Sequence, residues 1–200
     1  MKHPDWTGRT AVVIANGPSL TAEQIVHVEA STAWAIGVNT AYMMAQHCDV
    51  YYAGDYLFWS VHSRRMIAKF PRATQQFWTC DATAAEQFGI NRWKGRNEPG
   101  LGEALIHLNG NSGAQAINLA YLFGARKIVL LGFTMREIDG KKHFHGDHEK
   151  PLVQKQLFEE WLHKMEFVAR DAKRLGCDVV NCDPLSAMTC FRRGDLEGEL

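Results

Sequence analysis

The chain has 200 residues, 46% of them hydrophobic and 22% charged, which suits one domain with a sizeable core. Twenty-two basic residues balance 22 acidic ones, which argues against a broad electrostatic nucleic-acid surface but leaves room for a local phosphate pocket. No apolar run is long enough to cross a bilayer, and residues 1–10 lack the apolar core of a signal peptide, so a cytoplasmic protein without a membrane span is expected.

Short apolar runs alternate with helical patterns along the chain, the mark of stacked βα units. Residues 11–15 (AVVIA) read as a strand buried on both faces. The turn cluster Asn16-Gly17-Pro18-Ser19 follows. Thr21 and Gln24 then have capping-box spacing, which starts a helix near Ala22. Residues 33–38 and 49–53 read as the second and third strands, with a helix over 58–69 and a short strand over 76–79. Residues 91–108 are poorly periodic and glycine-rich, and read as a lid or an excursion. A helix over 112–123 places Ala114, Ile117 and Tyr121 on one face and stops at Gly124. Residues 128–133 (IVLLGF) are the clearest buried strand, followed by a polar loop over 134–150. Val153, Leu157, Trp161, Met165, Val168, Ala172 and Leu175 step by four and three, so the longest helix carries one core-facing stripe. Residues 178–181 give a final strand, and the tail from Pro184 reads as a surface segment. The expectation is α/β: a single Rossmann-like domain over 1–200, with a mostly parallel sheet and helices on both faces.

The five cysteines, Cys48, Cys80, Cys177, Cys182 and Cys190, are odd in number and scattered, as reduced thiols are. Cys177 and Cys182 read as small buried apolar side chains. Ligands in open parallel sheets bind beyond the carboxyl ends of the strands, and polar clusters fall there. At Asn16-Gly17-Pro18-Ser19, Gly17 permits close backbone approach, although a tight turn without a ligand has the same pattern. Asn39 follows the second strand. Gly54 and Asp55 follow the third; Asp55 suits a sugar hydroxyl or a helix N-cap equally well. Asn111, Ser112 and Gly113 open a helix, where small residues leave amide donors for a phosphate, though Ser112 also suits a simple cap. The loop from His143 to His148 holds three histidines and an aspartate in six residues. A general base is favoured there over a metal site, because no second ligand group has convincing spacing.

Three stretches carry a family resemblance: VVIANGPSL at 12–20, NSGAQAINLAYLFGARKIVLLGF at 111–133 and VVNCDPLSAMTCF at 179–191. Together they resemble the small α/β proteins related to bacterial family 42 sialyltransferases. They are also similar to the wider motility-accessory and hydroxymethylpterin-diphosphokinase-like family. The resemblance implies a Rossmann-like fold and a cytidine nucleotide sugar of the CMP-linked kind as donor substrate, with no obligatory metal cofactor. It puts donor contacts on Asn16, Gly17, Ser19, Asn39, Ser112 and Gly113, and the general base on His148, with His145 second. The chain departs from the sialyltransferases in having no tyrosine between Phe133 and His148, and it contains no Asp-x-Asp.

The leading expectation is a nucleotide-sugar-dependent, metal-independent glycosyltransferase-like enzyme acting on a hydroxyl acceptor. The alternatives are a phosphoryl or diphosphoryl transferase of the pterin diphosphokinase type and a non-catalytic nucleotide-binding module. The expected partners are small molecules, with no nucleic acid. Aromatics around Tyr51, Tyr52, Phe58 and Trp59 suit either the core or a subunit contact, and a homo-oligomer is expected.

Overall fold

Strands that are buried on both faces need unbroken apolar runs, and the central strands Thr10–Ile14 and Lys127–Leu131 have them after their first residues, Thr10 and Lys127. The computed structural model describes residues 3–70, 75–146, 150–152 and 157–200. In chain order it contains β1 (Thr10–Ile14), α1 (Ala22–Ala30), β2 (Trp34–Val38), a 3₁₀ turn (Asn39–Met43), β3 (Val50–Tyr52) and α2 (Tyr56–Lys69). Then come β4 (Gln76–Thr79), α3 (Ala82–Phe88), β5 (Asn91–Arg92), β6 (Gly95–Arg96) and β7 (Ile106–His107). The remainder is α4 (Ser112–Leu122), β8 (Lys127–Leu131), α5 (Phe158–Arg174), β9 (Asp178–Asn181), β10 (Arg192–Arg193) and α6 (Leu196–Glu199).

Among the described residues, eight strands form one sheet in the order β10-β9-β8-β1-β2-β3-β4-β5, with every pairing parallel. The strand order reverses at β1, which pairs with β8 on one side and β2 on the other. Strand side chains alternate between two cores. Ala11, Val13, Ile128 and Leu130 pack with α4 and α5, whereas Val12, Ile14, Val129 and Leu131 pack with α1 and α2. Helices thus cover both faces, and the strands' carboxyl ends share one edge.

Local signals explain the helix starts. Thr21 accepts from Gln24 N and Gln24 Oε1 accepts from Thr21 N, so both halves of the capping box form. In α5, Met165, Val168 and Ala172 are buried as the stripe requires, but Leu157 is 40% exposed and Val153 lies outside the described residues. Helix α4 departs from the expected one-faced pattern: Gly113 to Tyr121 are all buried, because α4 lies over the sheet beneath the 91–108 segment.

Of the two settings open to Tyr51, Tyr52, Phe58 and Trp59, the core is the one found, with exposures of 0, 1, 4 and 0%. Two other expectations need correction. Helix α3 falls where no helix is expected from periodicity; Asp81 caps its start and Gly89, in the left-handed region, ends it. The tail from Pro184 is not a surface segment. Ser186, Met188 and Phe191 are buried, and β10 adds the edge strand beside β9. Arg193 makes this possible by donating to the carbonyls of Asp183, Ser186 and Met188, satisfying backbone acceptors that no strand serves.

Residues 91–108, read as a lid or an excursion, contain β5 and the β6–β7 pair and bury Leu101 and Ile106. Three side chains serve their backbone. Asn118 bonds the backbone of Gly102 and His107, Asn109 bonds Gly100 and His107, and Asp171 accepts from Leu101 N.

The carboxyl-terminal helix is held by charge. Arg192 bridges Asp178 and Glu199, and Lys127 also meets Glu199. The Arg192 hydrogen bonds hold Glu199 down at about 2 and lower Asp178 as well. A depressed folded pKa stabilises above the unfolded value and loses that contribution as pH falls through the folded one. The stability difference between wild type and Glu199→Gln should therefore be constant above the ordinary 4.5 and shrink toward pH 2. Thermal melts across that range test it; a pH-independent difference would remove the ion pair from the account.

Candidate functional site

The sheet's order reversal puts the ends of β1 and β8 side by side, where open α/β sheets hold ligands. A cleft of about 410 Å³ opens there. Its walls come from the turns after β1, β2, β3 and β8, the start of α4 and the first turns of α5. The volume lies within the range of small-molecule sites.

Asn16 leaves β1 with its backbone carbonyl accepting from Phe144 N at 3.0 Å, which ties the histidine-containing loop to the first turn. Asn16 itself is 8% exposed, and its Oδ1 is buried with no partner among the described residues. Gly17 lines the cleft but donates its N–H to Gly132 O at 2.8 Å. A Cβ on Gly17 would fall onto Thr134 and the Gly132 carbonyl. Glycine is thus required here by the approach of two strand-end turns. Helix α1 starts only at Ala22, after a cap that uses its own side chains. The first turn therefore presents an amide oxygen rather than a nest of free N–H groups.

Pro18 and Ser19 do not line the cleft. Ser19 turns inward, 2.5 Å from both Thr134 Oγ1 and Asp183 Oδ2, and Thr134 Oγ1 donates to the same carboxylate at 3.0 Å. All three are more than nine-tenths buried. This cluster joins the segments after β1, β8 and β9 beneath the cleft floor.

Asn39 takes φ 50°, a left-handed conformation that asparagine tolerates better than most residues. Its Oδ1 is also buried without a partner among the described residues. Gly54 donates its N–H to Ser112 Oγ at 3.1 Å, and a Cβ there would meet Gln115. Asp55 lines the cleft while Oδ1 caps α2 at Phe58 N, 2.9 Å away, so the capping role is real.

Helix α4 enters the cleft at its amino end. Asn111 is the N-cap, accepting from Ala114 N at 3.1 Å. The N–H groups of Ser112 and Gly113, in the first turn, have no intrahelical acceptor, and the helix dipole favours an anion in front of them. Gly113 keeps the approach narrow: a Cβ would meet the Phe133 ring and Asn111 Oδ1.

Of the histidines, His143 lines the cleft beside Lys142. His145 Nε2 is hydrogen-bonded to Thr40 Oγ1 at 2.7 Å, and its ring stacks on His143 with centroids 5.3 Å apart. His148, expected as the general base, lies outside the described residues, as does Asp147.

Several cleft residues escape the sequence reading. Gln115 sits one turn beyond Ser112, a spacing that places both on one helix side. It accepts from Tyr52 Oη at 2.9 Å and donates to Leu108 O at 2.6 Å. Burial pushes the Tyr52 phenol well above its usual range, which keeps it a donor. Cys80 also lines the cleft, but burial raises its thiol and it donates to Gly54 O, so it is no thiolate nucleophile. Lys142 and Phe158 carry no local signal, and Trp161, read from the sequence as part of the core-facing stripe, also lines the cleft; only the tertiary fold brings them in.

No family model matches the chain, and no curated protein does. Among solved structures, the chain is similar to the sialyltransferase CstII from Campylobacter jejuni, solved in complex with a substrate analogue, cytidine-5'-monophosphate. The TM-score is 0.54 at 13% identity, over 94% of this chain and 86% of that one. The likeness extends over nearly the whole chain and establishes the expected single Rossmann-like α/β domain.

Proposed function

We propose that the cleft holds the donor of a nucleotide-sugar-dependent, metal-independent glycosyl transfer, with a cytidine monophosphate sugar as the donor class. The observation that carries this reading is one arrangement. Two buried, unpartnered amide oxygens, on Asn16 and Asn39, share the cleft with the amino end of α4. Amide oxygens need hydroxyl or amine donors, and a helix amino end needs an anion. A nucleotide sugar supplies both kinds of group. The sequence resemblance and the bound cytidine monophosphate of the structural neighbour favour cytidine.

In the proposed reaction, the acceptor hydroxyl oxygen bonds to the anomeric carbon as the bond to the phosphate oxygen breaks. Nucleoside monophosphate leaves with the electron pair, and a histidine of the 143–148 loop takes the hydroxyl proton. The Ser112 and Gly113 amides and Lys142 stabilise the charge growing on the leaving phosphate. Asn16 and Asn39 orient the donor.

A thermal-shift panel of CMP, CDP, UMP, UDP, GDP and ATP, with and without magnesium, tests the donor. CMP at about a hundred times its Kd should add roughly 2.7 kcal/mol of stability whether or not magnesium is present. For a chain of this size that is a rise of roughly 5–11 °C. A flat panel would sink the reading. Stabilisation by ATP only with magnesium would replace it with the diphosphokinase type. The non-catalytic reading has one observation in its favour, the absence of tyrosine among the cleft-lining residues described. Cytidine nucleotide binding without turnover on any acceptor would select it.

A further inference from the structure

The polar features of the cleft are matched by an apolar wall at α5. Phe158 and Trp161 stand one turn apart on that helix, their rings edge to face with centroids 5.8 Å apart, and Leu152 and Met135 border the same space. The wall has one polar atom left over: Trp161 Nε1 is buried and has no hydrogen-bond partner among the described residues. An indole N–H is a donor only, and burying it unpaired is costly. The other unpartnered side-chain atoms named in the cleft, Asn16 Oδ1 and Asn39 Oδ1, are acceptors. Trp161 therefore calls for a ligand acceptor, whereas the two asparagines call for ligand donors.

We infer that Trp161 is a specificity-determining residue that receives the nucleobase. The inference rests on the donor reading above. Hydroxyls and phosphate account for the asparagine and α4 sides of the cleft. The part of a nucleotide that suits an aromatic wall is its planar base, whose edge carries the carbonyl oxygen or ring nitrogen that an indole N–H requires. Position 161 therefore reads the base through one hydrogen bond and through ring contact, from a helix that the strand-end motifs do not include.

The test separates base from sugar-phosphate. Wild type and Trp161→Phe are titrated with CMP and with ribose 5-phosphate, which lacks the base. The indole N–H signal of Trp161, assigned by its loss in the variant, is followed by NMR. Phenylalanine keeps an aromatic face in the wall and removes the donor together with the five-membered ring that carries it. The expected result is a shifted Trp161 signal with CMP but not with ribose 5-phosphate, and CMP affinity weakened roughly fivefold to tenfold in the variant. Ribose 5-phosphate affinity should stay unchanged. Equal CMP affinity in the two proteins overturns the role of Trp161 and leaves the donor reading standing. Equal weakening of both ligands puts Trp161 on the sugar-phosphate or in the fold, and also overturns it. No binding of CMP to wild type defeats the donor reading and this inference together.

Discussion

Asp183→Ala is expected to cost about 3 kcal/mol of folding stability, a fall in melting temperature of roughly 6–12 °C. Asp183 is 1% exposed, and one carboxylate serves three groups. Oδ2 accepts from the hydroxyls of Ser19 and Thr134, and Oδ1 accepts from Leu185 N at 3.0 Å. Alanine would leave two buried hydroxyls with fewer acceptors and a void in their midst. Asp183→Asn keeps the volume and the oxygen that Leu185 uses, but offers an NH₂ to the hydroxyls, so an intermediate loss is expected. Calorimetric melts of the two variants check the order. Equal melting temperatures for wild type and both variants would show that the cluster does not couple its three segments.

The same cluster links stability to the cleft. Ser19 and Thr134 belong to the turns after β1 and β8, and Gly17 packs directly on Thr134 and Gly132. A shift of the first turn displaces Asn16. Asp183→Ala should thus weaken CMP affinity although Asp183 does not line the cleft. The family resemblance puts Ser19 among the donor contacts together with Asn16 and Gly17. Chain adjacency does not fix side-chain direction, and here the hydroxyl satisfies a buried carboxylate instead.

What is legible in this sequence follows from how each part is stabilised. The central strands are readable to within one or two residues because burial on both faces demands unbroken apolar runs. The start of α1 is readable because its cap is built from neighbours. Helix α3 has one buried residue, Ala84, and so no stripe to detect; only Asp81 and Gly89 mark it. The 91–108 segment is buried through Asn118 and Asp171, which lie outside it, and the tail through Arg193, five to ten residues beyond the carbonyls it serves; each reaches otherwise unserved backbone groups. No local pattern encodes that. The cleft divides the same way. Asn16, Asn39, Gly54 and Asn111 lie at strand or helix ends, where topology alone points. Lys142 and Trp161 depend on where a loop and a helix pack, which periodicity does not specify.

The histidines carry the largest expected effect on turnover. His148→Ala should reduce the rate by about 10²–10⁴-fold while leaving CMP affinity unchanged, because a general base touches the acceptor proton and not the nucleotide. Rates should fall on acidification, as the imidazole takes up the proton it needs to accept. His145 is the weaker candidate on geometry. Its Nε2 is engaged by Thr40, and its ring is stacked on His143, so His145→Ala should lower the rate less by loosening the loop. His143 lines the cleft directly, and the Phe144 amide beside it is anchored on Asn16. The three alanine variants, each read for CMP affinity and for transfer to an acceptor, separate these roles. A rate loss confined to His143→Ala would move the base to the residue that faces the cleft. Loss of both turnover and CMP affinity in His148→Ala would make that histidine part of the donor site. An unchanged rate in all three would remove histidine catalysis and leave a cleft that binds without transfer.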